Sequence, residues 1–556
     1  MSKHRKKKYK LKRITVIVFI LLIVIITILS FGLYKVYSDK ALKVLKNNYN
    51  QYVITNKKAK LFDKNKKVVG SISKNYYLEL STIKNLSLKN KYLKIKDTSY
   101  YISYKDIKKT KKQDTKITNI KSYYLDLNKE LKTNKSITLL KDNNKVITLN
   151  KGLTTSIKSI DDTYYYISFL NDTFQVKKDK AIKVIENNKV KDTSYVSVIL
   201  YNKISNDCNE DTCFNPNSIK AHINKLKNEN YYFITLDDYQ KYLKDYINLK
   251  EKAILLITND NNDLIKNIEK ETNVQIATTS TMKELKFTNS NKKSTKTDKT
   301  NSLNNYYPKK YMIIDEYLNM ALGQEIKDTG PGETATEIAV VNYHFFYNSS
   351  LGEECNETIC LETSKFEEQL KWLKDNNYKT LTINEFADWK EGYIELPKKS
   401  VLLTIDDGAM GTGKHNGNKL IPLLEKYKEH ATLFLITGWW DLSNYQSPYL
   451  DVQSHTHNLH FEAQCADGRG MVACSDYKTV KADLENSLKV LGDRTSFCFP
   501  FYSYDRESLQ ALDELEFRIA FIGGNVKATR EQKNHLITRY PILSDITLQH
   551  FINIVE

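Results

Sequence analysis

The C-terminal part of this chain predicts an α/β fold in which a parallel sheet closes into a barrel. Short apolar runs recur there: AVVNYHFFY, SVLLTI, TLFLIT, DVQSHT, SFCFPF, RIAFIG and LITRYP. They are apolar nearly throughout instead of alternating, as strands covered on both faces of a parallel sheet are. Helical stretches separate several of them, such as 420–429 and 480–491, the latter with Val480, Leu484, Leu488 and Leu491 on one face. Acids and histidines stand where the runs end, at the carboxyl tips where parallel barrels carry their function.

The chain begins differently. At 556 residues it has room for three or four domains. Residues 1–13 carry Lys3, Arg5, Lys6, Lys7, Lys8, Lys10, Lys12 and Arg13, and residues 14–34 follow with no charge. About twenty apolar residues span a bilayer, and the basic flank stays cytoplasmic. No small-residue cleavage site follows, so one transmembrane signal anchor is expected, with the rest of the chain extracellular at the cell membrane; a cleaved signal peptide is the alternative.

The net charge of +19 is Lys spread along the whole chain among Asn, Ile and Tyr. That spread, with an external location, argues against nucleic acid and for attraction to an anionic cell wall or membrane surface. Seven cysteines suit an oxidising compartment. Cys208 with Cys213, Cys355 with Cys360, and Cys465 with Cys474 are spaced for local bridges, which leaves Cys498 alone. A structural zinc site is the competing reading, against which stand the four-residue spacers of the first two pairs and the distances between pairs.

Residues 50–110 and 130–190 form a weak repeat. KVVGSI and KYLKIKDTSYYISYKDI in the first parallel KVITLN and IKSIDDTYYYISF in the second. Period-two alternation, aromatic pairs and Asn, Asp or Gly breaks predict short antiparallel strands. Each module resembles a bacterial Src-homology-3-like small barrel, which implies cell-wall binding; a plain spacer is the other reading.

A second duplication is stronger. Cys213 to Asp260 matches Cys360 to Asp407 without a gap at an offset of 147 residues, and VSVILYN at 196–202 parallels AVVNYHF at 339–345. Residues 195–283 are therefore expected to be a degenerate copy of the front half of 336–556. Asn259 stands where Asp406 stands and Asn202 where His344 stands, so the copy's chemistry is lost. Residues 284–335 read as a linker or insert, polar and without period from 288 to 305.

The chemistry lies in TIDDG at 404–408 and SHTHNLH at 454–460. Carboxylate oxygen with imidazole nitrogen is a ligand set for zinc or a similar divalent ion, and a spare carboxylate beside it can serve as a base. A calcium loop or helix-capping acidic pair is the plainer alternative.

With NYHF at 342–345 and CFPFYSYD at 498–505, these residues resemble the polysaccharide deacetylases of the NodB-homology group, carbohydrate esterase family four. The resemblance covers about residues 340–556 and implies a distorted barrel of seven strands that removes acetyl groups from N-acetylglucosamine units. TIDDG matches the family's TFDDG, which makes Asp406 the base and Asp407 a metal ligand. The spacing of His455 and His460 looks like the branch acting on poly-β-1,6-N-acetylglucosamine and assigns both as ligands of zinc, with cobalt or nickel as alternatives. That branch places its acid on the first strand, where His344 stands; a packed strand-end histidine is the bland reading.

Phe501, after Pro500, would offer its backbone N–H to the oxyanion. The motif's Arg is missing, and Arg539 on the last strand is the candidate to orient Asp406, with surface pairing the alternative. His457, His415 in the glycine-bearing insertion 410–418, Trp439, Tyr502 and Arg539 make up the expected substrate side. The expected activity is a membrane-anchored metal-dependent N-deacetylase of a surface polysaccharide. Peptidoglycan is the rival substrate, and a catalytically inactive polysaccharide-binding protein is the rival class.

Overall fold

Hydrophobic strands that cannot alternate must be covered on both faces, and this chain achieves that by closing a sheet on itself. The computed structural model describes residues 15–30, 32–33, 52–81, 92–112, 121–150, 152–186, 196–281, 286–289, 302–324, 330, 332–408 and 417–556. These fall into two units, one of residues 1–195 with 236–251 and one of 196–235 with 252–556.

In the second unit seven strands form the barrel: β1 (Glu337–Tyr343), β2 (Ser400–Asp407), β3 (Ala431–Leu435), β4 (Leu450–Ser454), β5 (Ser496–Cys498), β6 (Ile519–Gly523) and β7 (Ile537–Pro541). All neighbours are parallel, and β7 pairs with β1, which pairs with β2, so the circle closes. All eight residues of β2 are buried, including its two terminal carboxylates. The α/β barrel expected from the apolar runs is present.

Some boundaries differ from the sequence reading. AVVNYHFFY is two strands, Glu337–Tyr343 and Phe345–Tyr347, with His344 at the break. The helix that follows runs from Thr363 to Asp375. Its cap is Glu362, which accepts from the Ser364 N–H, while Glu367 pairs with Lys426 and Tyr427. A carboxylate at the N-cap satisfies an orphan N–H and meets the positive end of the helix dipole. Its apolar stripe of Phe366, Leu370 and Leu373 is buried.

The duplication is reproduced strand by strand. Val196–Tyr201 pairs with Ala253–Thr258 in the register that β1 adopts with β2: Tyr201 faces Thr258 as Tyr343 faces Ile405. The helix Pro216–Asn228 lies 147 residues before Thr363–Asp375, and Cys208–Cys213 repeats as Cys355–Cys360. Copy and barrel share one core, from Ile199 and Tyr201 through Trp389 to Phe521. Lys225 of the copy and Lys379 both approach Glu385, at 3.2 and 3.3 Å, and Glu385 is buried.

The 284–335 stretch lies partly outside the described residues. Within it Lys286–Asn289 pairs in parallel with Ser302–Asn305, and Ile314–Ala321 is helical.

In the first unit, strands between residues 52 and 109 and between 129 and 186 belong to one antiparallel core that extends from Val53 to Val176. Asn144–Leu149 pairs with Val68–Ile72, so one sheet runs through both modules. Gly70 permits that pairing, because a Cβ there would lie 2.4 Å from the Thr148 carbonyl oxygen. Residues 15–30 are helical and exposed. Among the described residues no helix is long and apolar enough to cross a membrane, so the single span expected over 14–34, part of which lies outside them, is not shown.

Candidate metal and acid–base site

Barrel strands deliver their last residues to one rim, and the chemistry gathers there. Asp406 and Asp407 end β2, His344 follows β1, His455 follows β4, and Cys498 ends β5. Asp407 takes φ 73°, in the left-handed region, and the two neighbouring carboxylates face different partners, Arg539 for Asp406 and two histidines for Asp407.

Asp407 meets the histidines. Its Oδ1 stands 3.3 Å from His455 Nε2 and 2.9 Å from His460 Nε2, yet makes no hydrogen bond. Burial raises the Asp407 carboxyl, but the two imidazoles outweigh it and hold the group well below the carboxylate range. A buried carboxylate oxygen facing two ring nitrogens is a donor set for a divalent cation with open positions. His455 Nδ1 lies 2.8 Å from the Cys498 carbonyl, a hydrogen bond that leaves Nε2 to the ion. These residues fit the metal.

Asp406, His455 and Cys498 form a second cluster of possible ligands. Arg539 excludes a cation there. Its Nη1 and Nη2 donate to the two Asp406 oxygens at 2.8 Å each, and Nη2 stands 2.8 Å from Cys498 Sγ. Arg539 is fully buried on β7, not paired at the surface and not on a substrate face. Burial raises the Asp406 carboxyl, but Arg539 outweighs it and keeps it ionised. His344 Nε2 stands 3.8 Å from Asp406 Oδ2, and burial pushes this imidazole down, towards its neutral form.

The other expected residues divide. Phe501 lies at φ 53° in the turn after β5, its ring 4.6 Å from His460. Trp439 is 47% exposed with its ring 5.6 Å from His460, so it borders the rim instead of the core. Tyr502 points inward: its ring lies against Gly523 and its hydroxyl meets Asn342. His457 is not brought to Asp407; its ring bonds Thr437 and its backbone N–H donates to Asp483. His415 lies outside the described residues.

Two residues of the site were missed in the sequence. Asn342 donates to Asp406 Oδ2 at 2.9 Å, and Cys498 contacts both Asp406 and Arg539. A lone amide inside an otherwise apolar strand was the available signal for Asn342.

Residues 394–520 match the family model described as polysaccharide deacetylase, whose members are hydrolases acting on amides. Enzymes of this family depend on a metal, in keeping with the ligand set at Asp407. The poly-beta-1,6-N-acetyl-D-glucosamine N-deacetylase of Staphylococcus aureus strain MSSA476 is 27% identical over 231 residues, 38% of this chain and 76% of that protein. Among solved structures, the Streptococcus pyogenes deacetylase PplD in complex with acetate is 22% identical and covers 40% of this chain and 100% of its own, with a TM-score of 0.35. IcaB from Ammonifex degensii is 18% identical over 40% of this chain and 97% of its own, with a TM-score of 0.34.

Proposed function

We propose that the chain removes acetyl groups from N-acetylglucosamine units of a surface polysaccharide, with poly-β-1,6-N-acetylglucosamine as the polymer. The carrying observation is the convergence of Asp407, His455 and His460 beside the Asp406–Arg539 pair. The polymer is supported by the S. aureus relative, which is named as a poly-beta-1,6-N-acetyl-D-glucosamine N-deacetylase. The basic flank and apolar stretch at 1–34 support anchoring at the cell membrane with the barrel outside, and mixed carboxylate and imidazole ligands support zinc.

Asp407, His455 and His460 would hold the ion, which supplies Lewis acidity toward water and the acetyl carbonyl. Asp406, kept ionised by Arg539, takes a proton from the attacking water. The water oxygen bonds to the carbonyl carbon, and the Phe501 N–H stabilises the oxyanion that forms. His344 starts neutral and lies 3.8 Å from Asp406, so it can carry that proton to the amine nitrogen as the carbon–nitrogen bond breaks. Acetate and a glucosamine unit remain.

The test is acetate release by the full-length chain, stripped of metal and reloaded with zinc, cobalt or nickel, on β-1,6 oligomers and on purified peptidoglycan. Release from oligomers alone, restored by metal, is expected. Release from peptidoglycan alone would replace the polymer, and no release from either would overturn the activity.

A further inference from the structure

Asn342 is fully buried in β1, between Val341 and Tyr343, and its side chain spends both amide hydrogens on the site. Nδ2 donates to Asp406 Oδ2 at 2.9 Å and to the Tyr502 hydroxyl at 3.1 Å. The carboxylate fixes this orientation, because the amide oxygen turned toward Asp406 would set acceptor against acceptor. Its own Oδ1 is then left buried without a hydrogen bond, a standing cost to the fold.

The degenerate copy is an internal control. In the shared register Leu200 stands where Asn342 stands, and Asn259 replaces Asp406. Where the carboxylate is gone, the strand reverts to an apolar residue. Packing alone therefore does not require an amide here.

Tyr502 belongs to the turn that carries the Phe501 N–H. Both residues are at positive φ, 53° and 55°, which costs free energy for side chains of this size. The Tyr502 ring fits only because residue 523 is glycine: a Cβ there would lie 2.6 Å from Tyr502 Cδ2. Burial raises its hydroxyl to about 12, so it stays a neutral partner for Asn342.

We infer that Asn342 is a positioning residue which, with Tyr502, ties the carboxylate of Asp406 to the left-handed turn bearing the oxyanion donor. The inference rests on the reading of Asp406 as base. Through one amide, the group that takes the proton and the N–H that meets the oxyanion are held at a constant separation.

The test compares Asn342→Leu, Tyr502→Phe, the double variant and Asp406→Asn in the full-length chain, with kcat and KM for acetate release from β-1,6 oligomers and a thermal melt for each. Asn342→Leu installs the copy's residue, and Tyr502→Phe removes only an oxygen, so at least one fold is retained. We expect kcat to fall about tenfold or more in Asn342→Leu and less in Tyr502→Phe, with KM within about twofold. The double variant should be no worse than Asn342→Leu, since both cut one connection. Wild-type kcat in a folded Asn342→Leu chain, or single losses that multiply in the double variant, would overturn the inference. Wild-type release by Asp406→Asn would overturn the base assignment itself. An inert Asp406→Asn beside a fully active Asn342→Leu would overturn only the role of Asn342.

Discussion

Arg539 and Asp406 meet through two parallel hydrogen bonds of 2.8 Å, and both side chains are buried. Only a planar fork can fill both carboxylate oxygens at once. Arg539→Lys should keep the charge and lose the fork, with kcat for acetate release down by about a hundredfold. Arg539→Met should leave a buried carboxylate unpaired and destabilise the fold by roughly 3–5 kcal/mol. Denaturant unfolding of both variants checks the second statement, and stability equal to wild type in Arg539→Met would refute it.

Metal retention should depend on three side chains together. His455→Ala, His460→Ala and Asp407→Asn should each come off a desalting column without the zinc that the wild-type chain retains, as read by plasma mass spectrometry. His457→Ala, whose ring bonds Thr437 and not Asp407, should keep it. A metal-free His457→Ala beside a loaded His455→Ala would reverse the assignment.

The loop closed by Cys465–Cys474 lies on the Phe501 turn: Gly470 donates its N–H to Ser503 Oγ at 3.1 Å, and a Cβ at 470 would reach 2.8 Å from Phe501 Cδ2. Replacing both cysteines by serine should cost about 2–3 kcal/mol of stability on chain-entropy grounds. It should also slow acetate release, because the loop no longer braces the turn. Unchanged melting and unchanged kcat in the double serine variant would contradict this.

Acid should loosen the contact between the copy and the barrel. Burial raises the Glu385 carboxyl, but Lys379 and Lys225 outweigh it and bring it down to about 2. A carboxyl depressed on folding contributes stability above its unfolded value near 4.5, and that stability is lost as pH falls towards 2. The contribution is on the order of 3 kcal/mol. Glu385→Gln should flatten the stability profile between pH 4.5 and 2; an unchanged slope there would exclude Glu385 as its source.

The barrel was legible because its strands are apolar on both faces, and the cluster of Asp407, His455 and His460 because short motifs carry residue types of ligand chemistry. The copy was legible because an ungapped match preserves register, and register preserves pairing. What could not be read was where a long side chain ends. Tyr502 looked like a rim residue in sequence yet turns inward, since only the fold shows that Gly523 leaves room for its ring. Arg539 was legible as the partner of Asp406, but not that it is spent there and withheld from substrate. Asn342 was hidden inside a strand run. The joining of the two front modules into one sheet depends on a pairing between residues 68–72 and 144–149, for which local pattern carries no signal.

An odd number of cysteines invites mispairing whenever a protein matures in an oxidising medium. Here the three bridges join partners five, five and nine residues apart, so each can close before distant parts of the chain meet. The seventh thiol, on Cys498, ends fully enclosed at the tip of β5, with its acidity suppressed by burial. Completion of the barrel thus encloses the one thiol that the three bridges leave over.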